Sequence, residues 1–289
     1  MCDERTEADL DARAPGMTRR AFAAGSVAAA VALTLPRPAH AVEVVERDVT
    51  IVTPDGEADC HFVHPATGVA PAVLVWPDIL GLRPAFRTMG RRLAESGYAV
   101  LTINPYYRSE RSPVVGEGSS FSDPETRERV MPLARSLSAE TVETDARAFV
   151  TWLDGQDAVD RARPIGTTGY CMGGPMVLRT AATLPERVGA GATFHGSRMV
   201  TDGADSPHHL IGQLRGRYLL AIAENDDERQ PEAKTVLREA FEAAGVPAEI
   251  EVYAGAMHGW CAIDSRAYAE AQAERAHARL LALFEAALA

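Results

Sequence analysis

The sequence predicts one α/β domain, a mostly parallel β-sheet with helices packed on both faces. Three observations carry that expectation. Short apolar runs alternate along the chain with stretches of helical period and length. Several of these runs, such as Pro-Ala-Val-Leu-Val-Trp at 71–76, are apolar throughout, the mark of a strand buried on both faces of a parallel sheet. No internal repeat or low-complexity linker divides the 289 residues. With 46% hydrophobic and 24% charged residues, the composition is that of a soluble globular domain with a full core.

The first 41 residues read differently. An acidic leader (1–16) precedes Met17-Thr18-Arg19-Arg20-Ala21-Phe22, a charge-free, alanine-rich run over 21–36, and Ala39-His40-Ala41. A paired arginine, a moderately apolar stretch and a small-x-small tripeptide are the parts of a twin-arginine export signal. The apolar run is shorter and richer in small side chains than the roughly 20 residues of a membrane span. The expectation is cleavage after Ala41, leaving a single domain over 42–289, periplasmic or extracellular, with no stable membrane association. Met17 is an alternative start, because signal n-regions are basic and 1–16 is not. The prefix holds equal numbers of acidic and basic residues, so the formal net charge of −11, from 29 Lys+Arg and 40 Asp+Glu, belongs to the domain.

Within the domain, 42–52 and 58–63 flank the turn Thr53-Pro54-Asp55-Gly56 and read as an opening hairpin. After the strand at 71–76, a helix is expected over 84–96, with Phe86, Met89 and Leu93 on one face and Gly97 closing it. The strand at 98–103 completes a βαβ unit. Between 104 and 137 periodicity is lost among Pro105, Pro113, Gly116, Gly118, Pro124 and Pro132, so a long loop is expected, acting as a lid or substrate wall. Alternation then resumes: helix 139–153, strand 164–170, helix 174–184, strands 188–194 and 218–223, helix 231–244, strand 248–253 and a closing helix 265–288.

Chemistry-bearing residues fall just past the C-terminal ends of these strands, where open α/β sheets place ligands. Gly169-Tyr170-Cys171-Met172-Gly173-Gly174 has the nucleophile-elbow pattern G-x-S-x-G with cysteine in place of serine. Its glycines let strand and helix approach closely, and a helix N-terminus favours the thiolate. Asp226 and Asp227 follow the strand at 218–223, and His258 follows the one at 248–253. Nucleophile, acid, histidine is the chain order of the α/β-hydrolase fold. Pro77-Asp78-Ile79-Leu80-Gly81-Leu82 follows the strand at 71–76, where that fold takes its second oxyanion N–H; Met172, after the nucleophile, supplies the first.

At these residues the chain resembles the dienelactone hydrolase family, small cysteine-dependent members of the α/β-hydrolase superfamily, over essentially all of 42–289. The segments just quoted, together with Asn104-Pro105-Tyr106-Tyr107-Arg108, Phe194-His195-Gly196 and Met257-His258-Gly259-Trp260, stand in the family's order. The resemblance implies a carboxylic ester hydrolase acting on a small ester or lactone through an acyl-thioester, with Cys171 as nucleophile, His258 as base, Asp226 as orienting acid and Ile79 and Met172 as oxyanion donors. Asp227 stays open as the alternative acid. Asp78 stands where the family has a glutamate that helps hold the resting thiol, one methylene shorter here. Arg108 matches one of two family arginines that bind a substrate carboxylate; the other, four residues past the histidine, is replaced by Ala262.

No cofactor is expected, and no metal. His208 and His209 with His195 are the nearest approach to a ligand set, but no cysteine or carboxylate joins them at ligand spacing. A single lysine, Lys234, and scattered arginines argue against a nucleic-acid partner. An acidic domain accepts a dianionic substrate only where arginines reverse the field locally. Cys60 and Cys261 read as structural, and a monomer is the default expectation. The rival reading is an exported thiol redox or binding protein on the same scaffold. It requires a second thiol in reach of Cys171 and a dispensable Asp226.

Overall fold

The computed structural model describes residues 35, 36, 38 and 40–289. The leader and the twin-arginine elements lie outside the described residues.

An antiparallel hairpin opens the domain. Strands β1 (Val44–Thr53) and β2 (Gly56–Pro65) pair in register, with Thr53 opposite Gly56. The turn is closed by the Thr53 hydroxyl, which donates to the Gly56 carbonyl and accepts from the Asp55 N–H. Six further strands follow: β3 (Ala72–Trp76), β4 (Ala99–Ile103), β5 (Ile165–Tyr170), β6 (Val188–Phe194), β7 (Arg217–Ala223) and β8 (Ala248–Tyr253). They form one eight-stranded sheet in the order β1-β2-β4-β3-β5-β6-β7-β8, parallel from β4 through β8. This is the expected α/β-hydrolase architecture.

Every residue of β3, β4 and β5 is buried, as continuous apolar runs require. Successive side chains go to opposite faces. Leu74 and Trp76 enter one core with Phe149 and Val177, while Val73 and Val75 enter the other with Phe86, Tyr170 and Phe284. Helices α1 (Pro84–Glu95), α3 (Ala139–Asp154), α4 (Gly173–Thr183), α6 (Ala233–Ala244) and α7 (Glu270–Ala287) cover the two faces. A capping box at Ser138 and Thr141 starts α3.

Two elements differ from expectation. The stretch 104–137 is not loop throughout: it holds helix α2 (Pro124–Arg135). Pro124 sits in the first turn, where a missing N–H costs nothing, so a residue that looked like a breaker is a starter. Pro132 is tolerated inside a helix that buries only Val130, in a small third core with Ile79, Leu80 and Tyr106. Asp226 and Asp227 lie on a six-residue helix, α5 (Glu224–Arg229), directly after β7. The closing helix begins at Glu270, five residues later than the periodicity suggested.

Strand register aligns the functional end of the sheet. Trp76 pairs with Gly169, Tyr170 with Phe194, Phe194 with Ala221, and Ala223 with Tyr253, so the segments after β3, β5, β7 and β8 emerge along one edge. Close backbone contact holds the β5–α4 turn there. A Cβ on Gly173 would lie 2.3 Å from the Trp76 carbonyl oxygen and 2.7 Å from that of Pro77, neither of which is a movable side chain. Gly173→Ala is therefore expected to destabilise the fold by about 1–3 kcal/mol. Gly212→Ala, which meets nothing within 4 Å, should stay within about 0.5 kcal/mol of wild type. Urea denaturation of both variants checks the difference, and equal losses would refute the close-packing argument.

Candidate active site

Cys171 follows directly on β5 and lies one residue before α4. Its φ of 52° is in the left-handed region that side-chain-bearing residues avoid. Three backbone bonds hold it: the Cys171 N–H donates to the Phe194 carbonyl (3.1 Å), and the Gly174 and Ser197 N–H groups donate to the Cys171 carbonyl (3.0 Å each). The Sγ lies 3.6 Å from the Ser197 hydroxyl.

Across the sheet edge, His258 donates from Nδ1 to Asp226 Oδ2 at 2.6 Å. Its backbone N–H donates to Oδ1 of the buried Asn225 (2.9 Å), which ties the β8 loop to α5. Asp227 takes no part, since both its oxygens accept from the Lys234 ammonium at 2.7 Å. Of the adjacent carboxylates, Asp226 is the one that reaches the histidine. Burial works against a charged His258. The negative charges of Asp226 and Cys171 and their hydrogen bonds outweigh it and push the imidazole up to about 10.

A second histidine shares the site. His195, also at positive φ (42°), is buried with its ring centroid 4.9 Å from that of His258 and 5.0 Å from that of Trp260. Burial, reinforced by the neighbouring His258 charge, pushes it down to about 3, so it stays neutral. It stands apart from His208 and His209, which stack on each other at 4.0 Å on the 3-10 helix Pro207–Gln213. There His208 meets the Ser206 hydroxyl.

The expected oxyanion residues are held by a side chain that sequence reasoning passed over. Tyr106 donates its phenolic hydrogen to the Ile79 carbonyl (2.7 Å), and its oxygen lies 3.3 Å from Met172 Sδ, so one buried ring braces both peptide segments. Neither the Ile79 nor the Met172 N–H has an acceptor among the described residues.

Asp78 and Arg108 are both held by charged partners, one at the Cys171 cavity and one away from it. Asp78 borders the same cavity as Cys171, but Arg83, a buried residue not singled out in the sequence, binds it through both guanidinium Nη atoms (2.7 and 2.9 Å). Arg83 also grips Asp264 through Nε and Nη2 (2.6 and 2.9 Å). Burial pushes the Asp78 carboxyl up, against the pull of Arg83. Arg108 forms a bidentate pair with the buried Asp145 (2.7 and 2.8 Å) and a second pair with Asp55, and it borders neither cavity at Cys171. Its charge is neutralised before any substrate arrives.

The dienelactone hydrolase family matches residues 58–288, nearly the whole described domain. The chain belongs to the dienelactone hydrolase family. A carboxymethylenebutenolidase from Rhodococcus opacus is 26% identical over 233 residues, which cover 78% of this chain and 83% of that protein. The carboxymethylenebutenolidase of Pseudomonas sp. strain P51 is 30% identical over a shorter stretch of 129 residues, 44% of this chain and 51% of that one. Among solved structures, a dienelactone hydrolase-like promiscuous phosphotriesterase from metagenomic libraries superposes with a TM-score of 0.69 at 20% identity, covering 85% of this chain and 99% of that one; the likeness shows the fold. Ala262 and the ion-paired Arg108 stand at the two positions where the resemblance implies carboxylate-binding arginines, so neither offers an unpaired cation there.

The raised His258 sets a pH signature. With an unfolded value near 6.5 and a folded one of about 10, the imidazolium stabilises the fold fully below pH 6.5. That stabilisation is lost as pH rises through 10. Subtracting the urea-denaturation curve of Asp226→Asn from that of wild type between pH 6 and 10.5 should give a stability difference that shrinks with rising pH. A difference independent of pH would overturn the assignment.

Proposed function

We propose that this chain hydrolyses a small carboxylic ester or lactone, with Cys171 as nucleophile, His258 as general acid and base, and Asp226 as the carboxylate that orients and charges His258. The observation that carries the reading is the 2.6 Å Asp226–His258 contact on a buried ring that borders the same cavity as the thiol of a strained strand-to-helix turn. In the first half-reaction the Cys171 thiolate attacks the substrate carbonyl carbon, and a C–S bond forms as the oxyanion settles between the Ile79 and Met172 N–H groups. The C–O bond then breaks, and His258 gives its proton to the departing oxygen. Water, deprotonated by His258, attacks the thioester, releases the acid and restores the thiolate.

Membership of the family and the Rhodococcus carboxymethylenebutenolidase support this class of reaction. The redox alternative is less well supported. Cys60 and Cys261 are buried in the two main cores, where burial pushes both thiols up, and Cys171 Sγ contacts the Ser197 hydroxyl. Cys171→Ala is expected to lower kcat/KM for p-nitrophenyl acetate by about 10³-fold or more, and Asp226→Asn by about 10²-fold or more. Equal rates in wild type and Cys171→Ala would sink the hydrolase reading.

We also propose that the domain is exported through the twin-arginine route, a reading that rests on Arg19-Arg20, the apolar run and Ala39-His40-Ala41. A reporter fused to residues 17–41 should be secreted, and replacing both arginines by lysine should abolish secretion. Secretion unaffected by the replacement would refute that route.

A further inference from the structure

Cys171 stands between two cavities. One, of about 90 Å³, is bordered by His258, Gly259, Arg83 and Asp78. The other, of about 500 Å³, extends over Met172 and Met176 to the far side of the nucleophile, and Ile79 borders both. If the thiol acts as proposed above, the chemistry assigns the two spaces. The departing oxygen must receive its proton from His258, so the leaving group occupies the cavity His258 borders. The oxyanion points at Ile79 and Met172. The remaining substituent of the carbonyl carbon, the acyl chain, is left with the larger cavity.

The two spaces differ in what they accept. In the small one Arg83 has all five N–H donors engaged, on Asp78, on Asp264 and on the Gly81 carbonyl, so it offers nothing to an anion. Arg266, at the same cavity, is held by Asp123 and Ser122. A small neutral alcohol fits there. The large cavity has an apolar body, including Met131, Leu137, Val142 and Met176, and a rim carrying Arg135, Arg179 and Arg198. Arg179 donates to the Asp205 carbonyl and lies 3.8 Å from the Asp205 carboxylate, the one acid of that rim. Arg135 and Arg198 are exposed and form no ion pair with the described residues. On a chain of net charge −11, this is a local reversal of sign beside the nucleophile.

We propose that the larger cavity is an acyl subsite for an open-chain acyl group with an apolar body and an anionic far end, presented as the ester of a small neutral alcohol. Half-esters of medium-chain dicarboxylic acids have that chemistry. The inference rests on the hydrolase reading and adds the sidedness of the substrate: the charge is on the acyl side, read by Arg135, Arg179 and Arg198 and not by the positions the family uses.

The test compares methyl hydrogen adipate with methyl hexanoate by methanol release, in wild type and in Arg135→Gln/Arg198→Gln. Wild type is expected to favour the half-ester by at least tenfold in kcat/KM, the size of one or two charge-assisted contacts. In the double variant the ratio should fall to within about twofold. A wild-type ratio near one with both esters cleaved overturns the acyl subsite and leaves the hydrolase reading standing. Failure to cleave either ester or p-nitrophenyl acetate overturns the hydrolase reading instead. Calorimetric titration of Cys171→Ala with adipate and with hexanoate decides the subsite without turnover. Adipate should bind at least tenfold more tightly, and the advantage should vanish when the two arginines are also replaced; equal binding would overturn the proposal.

Discussion

The turn that carries Cys171 is the constraint on which the rest of the molecule is built. A side chain at φ 52° is paid for elsewhere in the fold, here by three backbone hydrogen bonds and by glycines that let α4 press onto β3 and β5. The Gly169 position is tighter still: a Cβ there would stand 2.1 Å from the Gly173 carbonyl oxygen. The same compression does chemical work. It packs Gly173, at the start of α4, against the Trp76 and Pro77 carbonyls at the head of the segment that carries Ile79. Tyr106 then braces Ile79 and Met172 together.

Electrostatics around the thiol depends on how two carboxylates are partnered. Asp226, with part of its side chain in solvent, lends its charge to a fully buried imidazole. Asp78, also close to the thiol, is itself buried and has its charge answered by Arg83, which shares itself with Asp264. The Asp78-Arg83-Asp264 cluster is one charge negative in total, so it gives an incoming anion no welcome on the His258 side. His195 completes the pattern. Its ring is kept neutral at van der Waals range of the charged one, adding bulk and polarity without a competing charge.

The parts of this arrangement that were legible in the sequence are those set by local pattern. Apolar and alternating runs placed β3 through β8, and the strand-end positions of Cys171, Asp226 and His258 followed from them. What could not be read depends on contacts between distant residues or on geometry finer than a pattern. Helix α2 was hidden because prolines punctuate it, although one sits where a helix tolerates it. Asp226 and Asp227 are neighbours in sequence, but on α5 they point about 100° apart, and the position of Lys234 decides which is free to face His258. Arg83 matters through Asp264, 181 residues away, and Arg108 is withdrawn from the site by Asp145 on α3. For Arg108 the residue type suggested anion binding, and its ion pairs with Asp145 and Asp55 occupy it instead.

The carboxylate clamp that the resemblance implies and the groups proposed for the reaction rest on different parts of the fold. The groups proposed to make and break bonds, Cys171, His258, Asp226 and the two peptide N–H groups, hang on strand ends whose register is fixed by the buried sheet. Residues that recognise the substrate hang on what lies outside it: the α2 segment, the turn at 196–198 and the surface of α4. Arg108, by contrast, has been absorbed into the packing of α3 against the hairpin, where it and Tyr107 both contact Asp145. Returning it to the site would leave Asp145 buried with a charge answered only by a phenol, a cost of several kcal/mol. Substitution at 262 alone therefore cannot rebuild the family clamp. The proposed cationic recognition needs arginines with no such structural duty, and Arg135 and Arg198 meet that condition.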